Sequence, residues 1–376
     1  MFGLIKQHFI SLLSGLIFII IFQWYINPSG FYNLLFCFGA LVLFYSANKK
    51  EKLYKHQNYI IITLALCMAY AVCAFAHSGS VNINILVKII ISSLLAYALL
   101  FNKINTLYMK IAHIYIALSC IFLIMTLGRG LFENASINAV SIFVIILAST
   151  INFIELNNSQ NISFTPAIVS VIACLFGDSR NGIITSVIYL AIILVLTWHN
   201  TTKYHRLIIL LILISSIYYI SSNLYTILDL NIFARLENRG LLDLNQREVL
   251  WQGYFNKIDL QSLIFGVDYN DVPEITSFGE NNNPHSSFIQ VHNKYGIIGL
   301  GLLLSLILLL IKMLKNRQYA ISIIILAVMA RAFTDSVFFV GMFDFFVFMT
   351  ILLFDSRICK RFILMKQTKV KKFSIK

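Results

Sequence analysis

Charge is what this sequence has least of. Asp, Glu, Lys and Arg make up 12% of its 376 residues, where a soluble domain carries about a quarter. A water-exposed globular fold is thereby excluded. Acids are scarcer than bases, 16 against 29. Cysteine is sparse and badly placed for chemistry. Cys37, Cys67, Cys73, Cys120 and Cys174 fall in apolar runs, Cys359 falls near the C-terminus, and none falls in the one long polar stretch. Disulfides, cysteine metal clusters and thiol catalysis therefore lack support. The chain shows no Gly-rich phosphate loop, no internal repeat and no soluble domain.

What fills the sequence instead is apolar: 59% of residues are hydrophobic and the mean hydropathy is +0.81. Runs long enough for a hydrocarbon core about 30 Å thick recur near 8–26, 31–47, 59–77, 83–101, 107–127, 138–155, 165–179, 182–198, 206–222, 286–312, 319–338 and 339–355. The expected fold is all-α, a polytopic integral membrane protein of about twelve transmembrane helices. No small-residue cleavage site follows the first run, which reads as a retained span.

Cytoplasmic loops keep positive charge, and the cations here follow that rule. Lys49, Lys50, Lys52 and Lys55, then Lys103, Lys203 with Arg206, and Lys312, Lys315 and Arg317 fall in alternate loops. After Asp355 the tail has eight cations and no acid. Both termini are thus expected in the cytoplasm, and the net charge of +13 is a topology signal, not a nucleic-acid footprint. The stretch 223–285, with nine acids against four bases, reads as a large periplasmic loop. The expected organisation is a bundle of spans 1–9 over 1–222, that loop with an amphipathic helix over 223–285, spans 10–12 over 286–355, and a basic cytoplasmic tail over 356–376, anchored at the inner leaflet.

Several polar residues stand out. Lys88 lies in the fourth span, where an ionisable group is a functional candidate unless it snorkels to the surface. His77 and His113 read as packing or interface residues, and Pro166 as the harmless first-turn proline of the seventh span. Arg129, between Gly128 and Gly130, offers a cation to an anionic ligand or to solvent. The turn 176–182 presents Asp178 and Arg180 together, either as a satisfied hairpin or as a phosphate site built on Arg180. In the long loop, Leu250, Trp251, Tyr254, Phe255 and Ile258 recur at helical spacing, with Arg247 in the first turn. Beyond a turn at 263–268, the segment from Pro273 to Pro284 reads as irregular. Arg331 and Asp335, four apart in the eleventh span, suit a buried packing pair or, with Asp344, a transport path.

The stretch from Asn281 to Leu303 organises the rest. His285 stands at the mouth of an apolar run, and a neutral imidazole can take a proton from a hydroxyl. A plain interfacial histidine is the alternative. His292, seven residues on, brings no acidic ligands with it, so a metal site is not indicated. His285-Ser286, nine residues, Gly296, two residues and Gly299 resembles the His-[Asn/Ser/Gln]-x9-Gly-x-x-[Gly/Thr/Tyr] signature of the bacterial O-antigen polymerase and O-antigen ligase family. Ser179-Arg180 resembles that family's first arginine site, although Asn181 follows where many relatives carry a small residue. Arg247 to Ile258, running into Phe265-Gly266-Val267, is similar to its Arg-x-x-x-Trp helix and aromatic-Gly-x turn.

The resemblance implies a glycosyltransferase of surface-polysaccharide biosynthesis in the bacterial inner membrane, with its site facing the periplasm and no cofactor or metal. The donor it implies is an oligosaccharide on undecaprenyl diphosphate. Arg180 and Arg247 would clamp the diphosphate, His285 would activate the acceptor hydroxyl, and Arg129, Trp251 and Ser286 join the expected substrate contacts. The implied partners are membrane lipid, chain-length regulator and flippase proteins. A polymerase is the first expectation, a ligase onto lipid A core the second, and a transporter of lipid-linked sugars the reading from another class.

Overall fold

The computed structural model describes residues 2–127, 139–158, 161–177, 180–198, 245–277, 285–333, 335–338, 342–355 and 358. The expected ninth span, the first part of the long loop, Arg129, Asp178, Ser179 and nearly all of the basic tail lie outside these residues.

Every regular element among the described residues is helical. The helices are α1 Phe2–Ile26, α2 Gly30–Lys50, α3 Gln57–Ser78, α4 Ile83–Phe101, α5 Thr106–Leu127, α6 Ala139–Asn157, α7 Thr165–Phe176 and α8 Arg180–Trp198. They continue with α9 Asn245–Asn256, α10 Leu260–Phe265, α11 Pro273–Thr276, α12 Ser287–Lys315, α13 Tyr319–Phe333 and α14 Phe345–Leu352. Helices thus occupy the positions expected for spans 1–8 and 10–12. Seven are long and apolar enough to cross a membrane, and Thr165–Phe176, Asn181–Thr197, Tyr319–Phe333 and Met342–Leu352 are shorter apolar helices.

Short links make consecutive helices run in opposite directions. Their ends carry the expected signals. Gly79 closes α3 in the left-handed region (φ 66°), Asn82 accepts from the Asn84 N–H at the start of α4, and Pro166 sits in the first turn of α7. Helix α6 is the axis of the bundle, with nearly all of its residues buried. The outer helices bury one face and expose Leu34, Phe38, Met68, Phe122 and Met125 on the other. In water such an apolar girdle would be a liability; in a bilayer it is the solvated face.

One end of the bundle, called distal here, holds the last turns of α1, α3, α5, α7 and α13 and the first turns of α2, α4, α6 and α8. Between α8 and α12 the chain builds a small helical cap over this end. Leu250 and Tyr254 of α9 pack with Val267, Val272, Ile275 and Ile289 into a second core, distinct from that of the bundle. The α9 stripe is therefore as expected at Leu250 and Tyr254, while Phe255 faces outward at 57% exposure. Asp259 starts α10 with a capping box, accepting from the Ser262 N–H at 2.7 Å.

Three expectations are corrected. The tenth span is not one straight helix: its backbone leaves helical geometry at Gly296 (φ 53°, ψ −141°). The eleventh span ends at Phe333, so Asp335 is beyond the helix, and of the expected twelfth span the described residues form a 3₁₀ turn, Met342–Asp344, and the eight residues of α14. The segment after Pro273 is not irregular throughout, because Pro273–Thr276 is helical and buries Ile275.

Candidate active site

Among the described residues of the expected site, only His285 has a backbone in the left-handed region. Its φ is 49°, a region few side chains other than Asn, Asp and His visit, and such strain is commonly held at functional positions. Ser286 follows in extended conformation as the N-cap of α12. The side chain of His285 is 38% exposed, with Nδ1 3.7 Å from Oδ1 of Asp335. Asp335 is in turn gripped by Arg331, whose Nη2 donates to Oδ2 at 3.1 Å. Arg331 is 1% exposed and also donates to Ser141 Oγ of α6, from Nη2 at 3.0 Å and from Nε at 3.2 Å.

A chain of contacts thus runs from the axis helix, through a buried guanidinium and a carboxylate, to the ring of His285. Arginine is always charged, so the carboxylate beside it presents a negative oxygen to Nδ1. The pairing of Arg331 with Asp335 is the packing pair expected from the sequence; its link to His285 was not expected.

Ser287 holds the segment that carries Asp335. Its backbone N–H and its hydroxyl donate to the Asp335 carbonyl at 3.1 and 2.9 Å. The hydroxyl oxygen also accepts from the N–H groups of Val337 at 2.7 Å and Phe338 at 3.1 Å. Asp335 itself accepts from the Ser336 N–H at 2.9 Å. Ser287 was not singled out from the sequence, and Asp335 was singled out only with Arg331, not with His285. The available signals were the second serine of His285-Ser286-Ser287 and the four-residue spacing to Arg331.

The cap brings the other expected residues to the same end. The Trp251 ring meets Phe333 at 5.4 Å between centroids, and Phe333 meets Phe288 at 5.7 Å, in the first turn of α12. Trp251 therefore packs the cap onto the bundle. Arg247, four residues earlier on α9 and half-buried, shares that face. Arg180 opens α8, which packs on α6 and α13; only its backbone is described. Ser286 is buried beside His285.

Glycines permit the cap to dock. A Cβ on Gly296 would collide with the Ile264 carbonyl oxygen and stand 2.8 Å from its carbon. One on Gly266 (φ 88°) would collide with the His292 carbonyl and meet that of Asn293 at 2.6 Å. On Gly299 it would meet the Val291 carbonyl at 2.6 Å, although residues eight apart lie about 12 Å from each other along a straight helix. The first part of α12 is therefore folded back at Gly296, with the α10 backbone wedged at the bend. Side chains fasten the joint. Asn293 Nδ2 donates to the Val267 carbonyl at 2.7 Å, His77 Nε2 to that of Gly266 at 3.1 Å, and His292 Nε2 to that of Leu263 at 3.1 Å. The remaining His292 nitrogen accepts from Tyr254 O–H at 2.9 Å. His292 is thus fully engaged in holding the cap.

Beneath Ser287 and Phe288 a small apolar cavity opens between α12, α13 and α14, lined by Val291, Leu306, Met329 and Phe346 among others. Among the described residues no group of three or more His, Cys, Asp or Glu is arranged to hold a metal ion.

Residues 165–304 match the family model for the O-antigen ligase. No curated protein matches the chain. The matched segment begins at the first residue of α7, ends within α12, and encloses Arg180, Arg247, Trp251, His285, Gly296 and Gly299. Over residues 165–304 the chain is thus similar to the O-antigen ligase family, and that segment is set in a bundle with several apolar helices long enough to cross a membrane.

Proposed function

We propose that the protein is an inner-membrane glycosyltransferase that polymerises surface polysaccharide by joining repeat units carried on undecaprenyl diphosphate. In this reading the distal end is periplasmic and both termini are cytoplasmic, as the lysine and arginine distribution favours. The observation that carries it is the contact chain from Arg331 through Asp335 to His285 at an accessible position beside the family signature.

The reaction follows from those positions. Nε2 of His285 takes the proton of the acceptor hydroxyl. The hydroxyl oxygen forms a bond to C1 of the donor sugar, and the C1–O bond to the diphosphate breaks, its electron pair leaving on undecaprenyl diphosphate. Attack opposite the leaving group inverts the anomeric centre. Arg180 and Arg247 stabilise the departing diphosphate, a role a divalent ion has in other transferases. Asp335 stays ionised and stabilises the imidazolium.

A ligase would use the same chemistry on a lipid A core acceptor, and the description of the matching family model names that activity. The two are separated by supplying reconstituted protein with lipid-linked repeat units with and without core. Elongation on the carrier alone supports the polymerase, and product only on core supports the ligase.

A further inference from the structure

The cap meets the bend of α12 through a helix that buries none of its own side chains. Helix α10 has six residues, none of them buried. Leu260, Leu263 and Ile264 recur at the i, i+3, i+4 spacing of one helix face. All three are exposed, Leu260 to 77%. Lys257, Asp259 and Gln261 are the exposed polar residues around them, and Ser262 is engaged in the capping box. Backbone holds α10 in place. The Ile264 carbonyl fills the space a Cβ would need at Gly296, and the Gly266 carbonyl accepts from His77 Nε2 at 3.1 Å. Three large apolar side chains on one outward face gain nothing from the protein core, and water is a poor environment for them.

Those two contacts fix where α10 stands. His77 is in the last turn of α3, Gly296 is at the bend of α12, and α3 packs beside α12. Each of these helices carries an outward apolar stripe that runs up to the contact. On α3 it is Leu64, Met68, Val72 and Phe75, and on α12 it is Ile297, Leu304, Leu308 and Ile311. The exposed face of α10 thus stands at the top of both stripes and continues the girdle that faces the bilayer. Height agrees with this. Helix α3, with 22 residues, is about 33 Å long, and α12 from Gly296 to Lys315 is about 28 Å long, at about 1.5 Å per residue. A hydrocarbon core is about 30 Å thick. Both helices have cations at their proximal ends, Lys55 ahead of α3 and Lys312 and Lys315 in the last turn of α12. The bend, and α10 with it, therefore lies where the hydrocarbon of the distal leaflet meets its headgroups.

We propose that α10 is a membrane-embedded foot of the cap, with Leu260, Leu263 and Ile264 inserted among the acyl chains of the distal leaflet and Lys257 and Asp259 at headgroup level. An amphipathic segment seated in this way buries its apolar face about 5–10 Å into the boundary. The partner is the lipid surface itself. The inference needs the bundle to span a membrane and does not rest on the glycosyl-transfer reading. The cap that carries Arg247 and Trp251 is then held from two sides, by the bend in α12 and by the leaflet.

The test places the full chain, one copy per nanodisc, in phospholipid of which a fraction carries a photoactivated diazirine in the acyl chain close to the glycerol, and maps lipid adducts by peptide mass spectrometry. Adducts are expected within 257–266, as on the α3 and α12 stripes, and not within 268–277. In Leu260→Asn/Leu263→Asn the yield within 257–266 should fall at least about tenfold, the factor that exposing even one leucine side chain to water would exceed, and Leu260→Phe/Leu263→Phe should keep it. Amides of 260–267 should also exchange faster in the Asn double variant, because the leaflet no longer grips the foot. Labelled stripes on α3 and α12 with 257–266 unlabelled in wild type overturn the proposal, and that result needs no variant to fold. Equal labelling of 257–266 and 268–277, or wild-type labelling of 257–266 in a folded Asn double variant, overturns it as well.

Discussion

Replacing Gly296 by alanine tests how the cap reaches the active site. The backbone there has φ 53° and ψ −141°, a region that is essentially glycine-only, and holding another residue in it costs about 1–3 kcal/mol. Alanine also directs its Cβ into the Ile264 carbonyl. Relief requires α10 to back away, and overpacking of this sort costs about 1–3 kcal/mol. The two costs sum to about 2–6 kcal/mol, enough to undock the cap from the bend in α12 while the helices away from the bend stay folded. Hydrogen exchange on protein in nanodiscs checks this directly. Amides of 260–267 and 287–293 should lose protection in Gly296→Ala, with α4 and α6 unchanged, and glycan transfer should fall because Arg247 and Trp251 are carried by the same cap. Wild-type protection in both segments, with wild-type transfer, would refute the docking of α10 at the bend.

Other outcomes follow from the site. Asp335→Asn should reduce transfer by about 10²-fold, the low end of what general-base catalysis contributes, and lower thermal stability because Arg331 keeps its charge in a buried position; unchanged kcat would remove Asp335 from the positioning of His285. Ser287→Ala should destabilise the 335–338 segment by about 1–3 kcal/mol, since the Phe338 N–H loses its acceptor while the Val337 N–H keeps the Asp335 carbonyl, seen as faster exchange at Phe338. Arg247→Lys should raise the KM for lipid-linked donor, because lysine keeps the charge but not the two-point grip; donor affinity equal to wild type would count against the clamp. The Asp259 carboxyl is held below its ordinary value of 3.8, chiefly by the Ser262 backbone N–H and then by the Ser262 hydroxyl. Its contribution to α10 is therefore complete above that value and is lost as pH falls from there through the lower value of the folded protein. Protection of 260–265 should drop over that range in wild type and not in Asp259→Asn.

Helix positions were legible because apolar runs of bilayer length have few other uses, and α1 to α6 fall within a few residues of where the pattern put them. The amphipathic helix at 245–256 was legible from Leu250 and Tyr254 for the same reason. Gly296 was legible as part of a motif but not as a break: isolated glycines are tolerated in membrane helices, and only the arrival of the Ile264 carbonyl shows why no other residue fits. Asp335 illustrates a different limit. Four-residue spacing from Arg331 implied one continuous helix, whereas the helix stops at Phe333 and the carboxylate turns from its own chain toward His285. That contact joins residues fifty apart, and nothing local encodes it. The short helix at Pro273–Thr276 was hidden by its proline, which marks a turn as readily as a first helical position.

The central claim is that His285 is the base of a glycosyl transfer and not a packing residue. The most direct measurement is transfer by purified protein in lipid, supplied with single repeat units on undecaprenyl diphosphate, for wild type and His285→Ala of equal insertion and thermal stability. Lengthening chains on the carrier are expected in wild type and none above background in the variant. A His285→Ala protein that inserts normally and transfers at the wild-type rate would contradict it.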